Sequence, residues 1–319
     1  MFPFSSGICR RGKSLPSSVF SLTEHVCFGM MSENMKGKAR DMDRKTLFVS
    51  DLDGTLMRND ATLSAYTVHT VNELVGRGLF FTYATARSVE SARTITGGLR
   101  LTLPVITRNG AVLADNSTGR HLEKSVFTPD EVRLLKEMLP ELPECGFVSC
   151  FLGEKMIKTF MPGRHTEALQ GYIDYYRNDP AMVQMPDTDG MFCGIPGYVT
   201  LAATRDYLAP VYERVRLYPG WECVFQKDTY RDEYWLEICP QNCTKAKSIL
   251  KMKKQYGFEK LIVFGDSAND LSMFRIADEA YAVANAWEEL KAEATAVIGS
   301  NEEDAVADFL RRSMNAPEQ

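Results

Sequence analysis

Long apolar runs are missing from this chain of 319 residues; none approaches the ~18 residues that cross a bilayer as a helix, so no membrane partner is expected. Charge of one sign is missing too. Lys and Arg number 37 against 42 Asp and Glu, a net of −5, and no basic patch points to nucleic acid. Histidine is scarce: His25, His69, His121 and His165 are scattered, form no HExxH or similar ligand set, and read as surface or structural residues. The eight cysteines contain no CxxC pair in a chain far larger than a disulfide-stapled scaffold, so reduced thiols and a cytoplasmic setting are expected.

What is present is a 45% hydrophobic composition, enough for one large core or two moderate ones, with two domains expected. Residues 1–43 stand apart, rich in Ser, Gly and Met and without an acid before Glu24. They read as a disordered or non-native extension, with Met42 as the natural start.

The stretch Thr46 to Leu56, TLFVSDLDGTL, organises the rest. Leu47-Phe48-Val49 is the short continuous apolar run of a parallel strand buried on both faces. On extended backbone Asp51 and Asp53 send their carboxylates to the same side, and Gly54 lets the chain turn away behind them. Two like charges that close need a cation between them or a shared proton, and either condition marks a site.

A helix follows, with Leu63, Val68, Val71, Leu74 and Val75 at helical spacing, Ser64 as cap and Gly78 at the end. A second strand at 79–81 leads to Thr85-Ala86-Arg87, and a third at 104–106 leads to Thr107-Arg108-Asn109-Gly110. Ligands bind at the carboxyl ends of strands in open parallel sheets, so Asp51, Asp53, Thr85 and Asn109 are expected around one crevice. At Thr128 a capping box with Pro129 and Glu131 starts a helix that Pro140 and Pro143 end. From Phe147 to about Cys239, strand-like segments such as 147–152 and 156–160 mix with helices near 167–176 and 209–217. This region reads as an α+β domain on an antiparallel sheet, inserted into the first domain.

The earlier pattern then resumes. A helix at 244–256 ends at Gly257, a fourth buried strand at 261–264 runs into Gly265-Asp266-Ser267-Ala268-Asn269-Asp270, and strands at 281–283 and 296–298 follow. A Ser300-Asn301-Glu302-Glu303 capping box is expected to open the last helix, which buries Val306, Phe309 and Leu310.

Asp51-Leu52-Asp53-Gly54-Thr55 after a strand, Thr85 after the next, Lys245 at a helix start and GDSANDLSMF after a late strand occur in one order. Together with Asn109-Gly110-Ala111 and Glu237-Ile238, they closely resemble the haloacid dehalogenase (HAD) superfamily, in its Cof-type, sugar-phosphatase-like branch. The resemblance implies an α/β fold with a Rossmann-like parallel-sheet core at 44–127 and 241–319. It also implies a C2-type cap at 128–240, since Asp53 to Thr85 is 32 positions and Thr85 to Lys245 is 160.

The activity implied is a phosphatase acting on a small phosphorylated metabolite. In that reading Asp51 is the nucleophile, and Asp53 protonates the leaving group and then activates water. Mg²⁺ is the implied cofactor, held by Asp51, Asp266 and the backbone carbonyl of Asp53, with Asp270 either at the metal or orienting Lys245. Thr85 and Lys245 would meet the phosphoryl oxygens, and the other substrate contacts implied are Ala86, Arg87, Asn109, Gly110 and Asn269. Ala86 and Ala246 stand where the family often has Gly. Substrate choice is expected in the cap, with Arg164, Tyr230 and Arg231 as polar candidates. A phosphomutase with the same aspartates, or a phosphate-binding regulatory module, is the alternative.

Overall fold

The computed structural model describes residues 46–142, 146–153, 155–164, 166–227, 232–241 and 243–315. The expectations for residues 1–43, and for Tyr230 and Arg231, lie outside the described residues. Along the chain the strands are β1 (Thr46–Ser50), β2 (Phe80–Tyr83), β3 (Val105–Thr107), β4 (Val112–Ala114), β5 (His121–Lys124), β6 (Phe147–Leu152), β7 (Lys155–Phe160), β8 (Met182–Gln184), β9 (Ile195–Ala203), β10 (Trp221–Lys227), β11 (Tyr234–Pro240), β12 (Lys260–Gly265), β13 (Glu279–Ala282) and β14 (Ala296–Val297).

All five residues of β1 are buried, because it is the inner strand of a parallel sheet of order β14-β13-β12-β1-β2. Val49 lies between Val263 of β12 and Thr82 of β2, so Asp51 and Asp266 leave neighbouring strands at the same end. The helix Ala65–Gly76 crosses between β1 and β2. Its Ser64 cap accepts the Thr67 N–H at 2.9 Å, and Val71 and Leu74 are fully buried beneath it.

The expected third parallel strand is β3, but it meets the end of β2 through a single parallel bridge, Ala84 to Ile106, where the Thr85 N–H reaches the Ile106 carbonyl at 2.9 Å. All three of its residues pair antiparallel with β4 in a separate β3-β4-β5 sheet. A helix at Val89–Thr96, capped by Ser88, was not foreseen, since its buried stripe is only Val89, Ala92 and Thr96 among polar neighbours.

The inserted layer is a six-stranded sheet of order β10-β11-β9-β6-β7-β8, antiparallel except for the β7–β8 pair. Nine-residue β9 runs through its middle and is buried from Pro196 onward. The sequence reading named no strand there, because Pro196 and Gly197 near its start read as punctuation. The Thr128 capping box is present at Pro129–Met138. The helix expected from 209 begins at Arg205, with Pro210 inside it, so the proline does not mark its first turn.

One face of this sheet packs Val148, Leu201 and Leu236 against the helices Pro129–Met138 and Arg205–Val215. The other face is divided. Phe147 and Ala202 meet the helix Glu167–Tyr175, whereas Phe151, Met156, Tyr198 and Cys239 join the apolar core of the parallel-sheet region. That second contact holds the inserted layer against the end of the chain's βα units where the aspartates lie.

The Ser300–Glu303 box closes a 3₁₀ turn, Asn301–Glu303, rather than the last helix. Asp304 is left-handed (φ 54°), its carboxylate taken by Arg58 at 2.7 Å and Thr67 at 3.0 Å, and the α-helix starts only at Ala305.

Candidate active site

After β1 the chain makes a wide turn, closed by the Met57 N–H on the Leu52 carbonyl. Gly54 takes a φ of +75°, and a Cβ there would lie 2.5 Å from Asp266 Oδ2, so only glycine lets the two strand ends close on each other. Thr55 Oγ1 donates to Asp266 Oδ1 at 3.0 Å across the same gap.

Lys245 begins the helix Lys245–Tyr256, capped by Thr244, and is 1% exposed. Its Nζ donates to Asp51 Oδ1 at 2.6 Å and to Asp270 Oδ1 at 2.7 Å. The other Asp270 oxygen accepts the Asp266 and Ser267 N–H groups at 3.0 and 3.1 Å, which fixes the loop after β12. Asp270 therefore orients Lys245 and also stands in the acidic cluster.

Oxygens of Asp51, Asp266 and Asp270 all lie within 4.8 Å of one another. Burial pushes the Asp266 carboxyl up to about 7, with Asp270 adding repulsion. Asp51 is also raised well above the usual carboxylate range by burial, against the pull of Lys245. Burial alone would lower the Lys245 ammonium, but Asp270 and Asp51 outweigh it and hold the group above its ordinary value. Three acids with one lysine leave an excess of negative charge, and an all-oxygen donor set fits a hard cation such as Mg²⁺. No histidine belongs to this cluster among the described residues.

The carboxylate of Asp53 lies outside the cluster. Arg87 grips it with Nε and Nη2 at 2.7 to 3.0 Å, so only the Asp53 carbonyl is left for the metal role read from sequence. Thr85 is fully buried at the end of β2, and its Oγ1 accepts the Arg87 N–H at 3.1 Å, which leaves the hydroxyl proton for another acceptor. Ala86 is exposed beside it.

Arg108, Asn109 and Gly110 take φ values of 53°, 52° and 106° in succession. The Asn109 N–H bonds the Thr85 carbonyl at 3.0 Å, and its side-chain amide reaches Glu237 of β11 at 3.4 Å. Gly110 is a packing residue, since a Cβ there would lie 2.4 Å from the Thr244 carbonyl at the head of the Lys245 helix. The Asn269 amide oxygen accepts from Ser267 at 2.7 Å.

Arg164 donates to the carbonyls of Pro140 and Leu142, tying down the end of a cap helix. Sequence reasoning passed over Arg108 and Lys158. The signal for Lys158 was a lone cation in the alternating row Met156, Lys158, Phe160.

Fold and site together define a class, a hydrolase with a parallel-sheet α/β core and an inserted α+β cap. Within it the chain belongs to the haloacid dehalogenase-like hydrolases, whose family model matches residues 48–310, and to their Cof-type branch. A 5-amino-6-(5-phospho-D-ribitylamino)uracil phosphatase of Bacillus subtilis (strain 168) is 28% identical over 277 residues, 83% of this chain and 96% of its own. The pyridoxal phosphate phosphatase of Escherichia coli (strain K12) is 26% identical over 82% of this chain and 95% of its own. A haloacid dehalogenase-like hydrolase from Bacteroides thetaiotaomicron shares the fold with a TM-score of 0.64 at 22% identity, over 84% of this chain and 99% of its own. Family and relatives support a phosphatase as the enzyme class.

Proposed function

We propose that the protein is a Mg²⁺-dependent phosphatase that hydrolyses a small phosphorylated metabolite through an aspartyl phosphate at Asp51. The observation that carries this reading is the buried Lys245 ammonium held between Asp51 and Asp270, with Asp266 alongside, at the carboxyl end of a parallel sheet. The names of the two relatives above, one a ribitylaminouracil phosphate phosphatase and one a pyridoxal phosphate phosphatase, support a substrate of that size.

Asp51 attacks phosphorus, and the bond to the leaving oxygen breaks as the acyl phosphate forms. Asp53 gives that oxygen its proton and later takes one from the water that cleaves the acyl phosphate. In the free enzyme Arg87 pairs with the Asp53 side chain; an arriving phosphate dianion competes for the guanidinium and frees Asp53 for its work as acid and base. Thr85 donates its hydroxyl to a phosphoryl oxygen, and Lys245 offsets the charge that spreads over the equatorial oxygens. Bound Mg²⁺ would supply further neutralisation of those oxygens.

The test is phosphate release from a panel of phosphorylated sugars, nucleotides and cofactors, with Mg²⁺ and with EDTA. Release that needs Mg²⁺ is expected. Mg²⁺ at a hundred times its dissociation constant is also expected to stabilise the fold by about 2.7 kcal/mol, read as a higher melting temperature that EDTA reverses. Transfer of phosphate between sugar hydroxyls without net release would replace the phosphatase by a mutase.

A further inference from the structure

The divided face of the cap sheet carries a feature that phosphoryl chemistry does not use. The register Lys158↔Ser149↔Tyr198 puts these three in one lateral row, on the same face as Phe151 and Met156, which pack on the core. Lys158 stands where the core contact gives way to the helix Glu167–Tyr175. Its Nζ lies 4.5 Å from the centre of the Tyr172 ring and 5.8 Å from that of Phe147, and it donates to the Tyr172 hydroxyl. Arg108 lies on the core side, on the left-handed turn whose backbone is bonded to Arg87 at 2.9 Å and, through Asn109, to Thr85 at 3.0 Å, and whose Asn109 amide reaches Glu237 on this same face of the cap sheet at 3.4 Å. The turn that carries Arg108 is therefore laced to the loop that meets the phosphoryl group. Strained backbone of this kind persists where its surroundings hold it, and it concentrates at ligand sites.

Arg108 and Lys158 repel each other, and among the described residues neither makes an ion pair. Glu237, a half-buried acid, attracts both cations and is itself bonded to Tyr198 and to Asn109. Burial, with Arg108 adding to it, pushes the Lys158 ammonium down to about 7 against the pull of Glu237 and Asp179.

We propose that Arg108 and Lys158 form an anion subsite for the leaving group, so that the preferred substrate carries a carboxylate or a second phosphate besides the phosphoryl group removed. This rests on the phosphatase reading above. An anion between the two cations relieves their repulsion and gives the Arg108 guanidinium an acceptor for its paired donors. The two residues fix orientation and substrate choice; they are not catalytic.

The test uses two pairs of probes, glycerol phosphate against phosphoglycerate, which differ by a carboxylate, and a hexose monophosphate against a hexose bisphosphate. The wild type is expected to favour one of the two anionic members in kcat/KM, and which one it favours identifies the second group. Arg108→Gln and Lys158→Gln are each expected to reduce that preference about tenfold or more, mainly through KM, with Arg108→Lys retaining part of it. Melting curves verify folding, and if Lys158→Gln fails to fold, the half-buried turn residue Arg108 carries the test. Turnover of the probes with a preference that the Arg108 variant leaves unchanged overturns the subsite alone. No release from any of the four by folded wild type with Mg²⁺ overturns the phosphatase reading, and the subsite with it.

Discussion

Asp51→Asn is expected to lower kcat by roughly 10⁵-fold, the scale on which enzymes lose turnover when an attacking group is removed. The amide keeps the shape of the carboxylate but cannot form an acyl phosphate. Stability is expected to move the other way. Asp51 is 3% exposed, and burial and its acidic neighbours already raise its carboxyl well above the ordinary range. Removing its charge relieves part of that cost, while Lys245 keeps Asp270 at 2.7 Å. An unchanged or higher melting temperature with turnover abolished separates a role in chemistry from a role in folding. A variant that loses both together would make Asp51 a structural residue.

Lys245→Met is expected to produce the second large effect, and here activity and stability fall together. The ammonium is the internal counter-charge for Asp51 and Asp270, both buried with it. Without it the buried carboxylates stand against one another, and breaking a buried ion pair in this way costs about 3–5 kcal/mol. In a domain of this size that is read as a fall of roughly 2–4 °C in melting temperature per kcal/mol. Mg²⁺ is expected to recover more stability in the variant than in the wild type, because the unpaired acids gain a cation. The variant's kcat/KM is expected to drop by at least about a hundredfold, since the charge on the phosphoryl oxygens is no longer offset. Thermal melts with and without Mg²⁺, beside initial rates, give both readings.

Much of the site was legible before the fold because its residues sit at strand ends, and strand ends are visible in sequence. Asp51 after 47–49 and Asp266 after 261–264 each follow an apolar run, and parallel pairing alone brings them together. Lys245 was harder, since a lysine at a helix start is usually solvated; only the company of the other motifs singled it out. The capture of Asp53 by Arg87 was not legible, because it depends on how the turn after Gly54 faces the loop after β2. The cap was read as an antiparallel sheet with helices, but not strand by strand. β9 was hidden by Pro196 and Gly197, and the face that carries Lys158 is defined by register across four strands, which local periodicity does not encode. Arg164 shows the converse, a polar residue in the expected region whose hydrogen bonds among the described residues go to backbone carbonyls.

The central claim is that the phosphoryl group passes through Asp51, and trapping that species tests it most directly. Asp53→Asn removes the group that activates water, so the variant, mixed with Mg²⁺ and a substrate found in the release panel, then acid-quenched and digested, is expected to carry one phosphoryl group on the peptide containing Asp51. A phosphoryl group on any other residue, or product formation with no covalent species under conditions where the wild type turns over, would contradict the account.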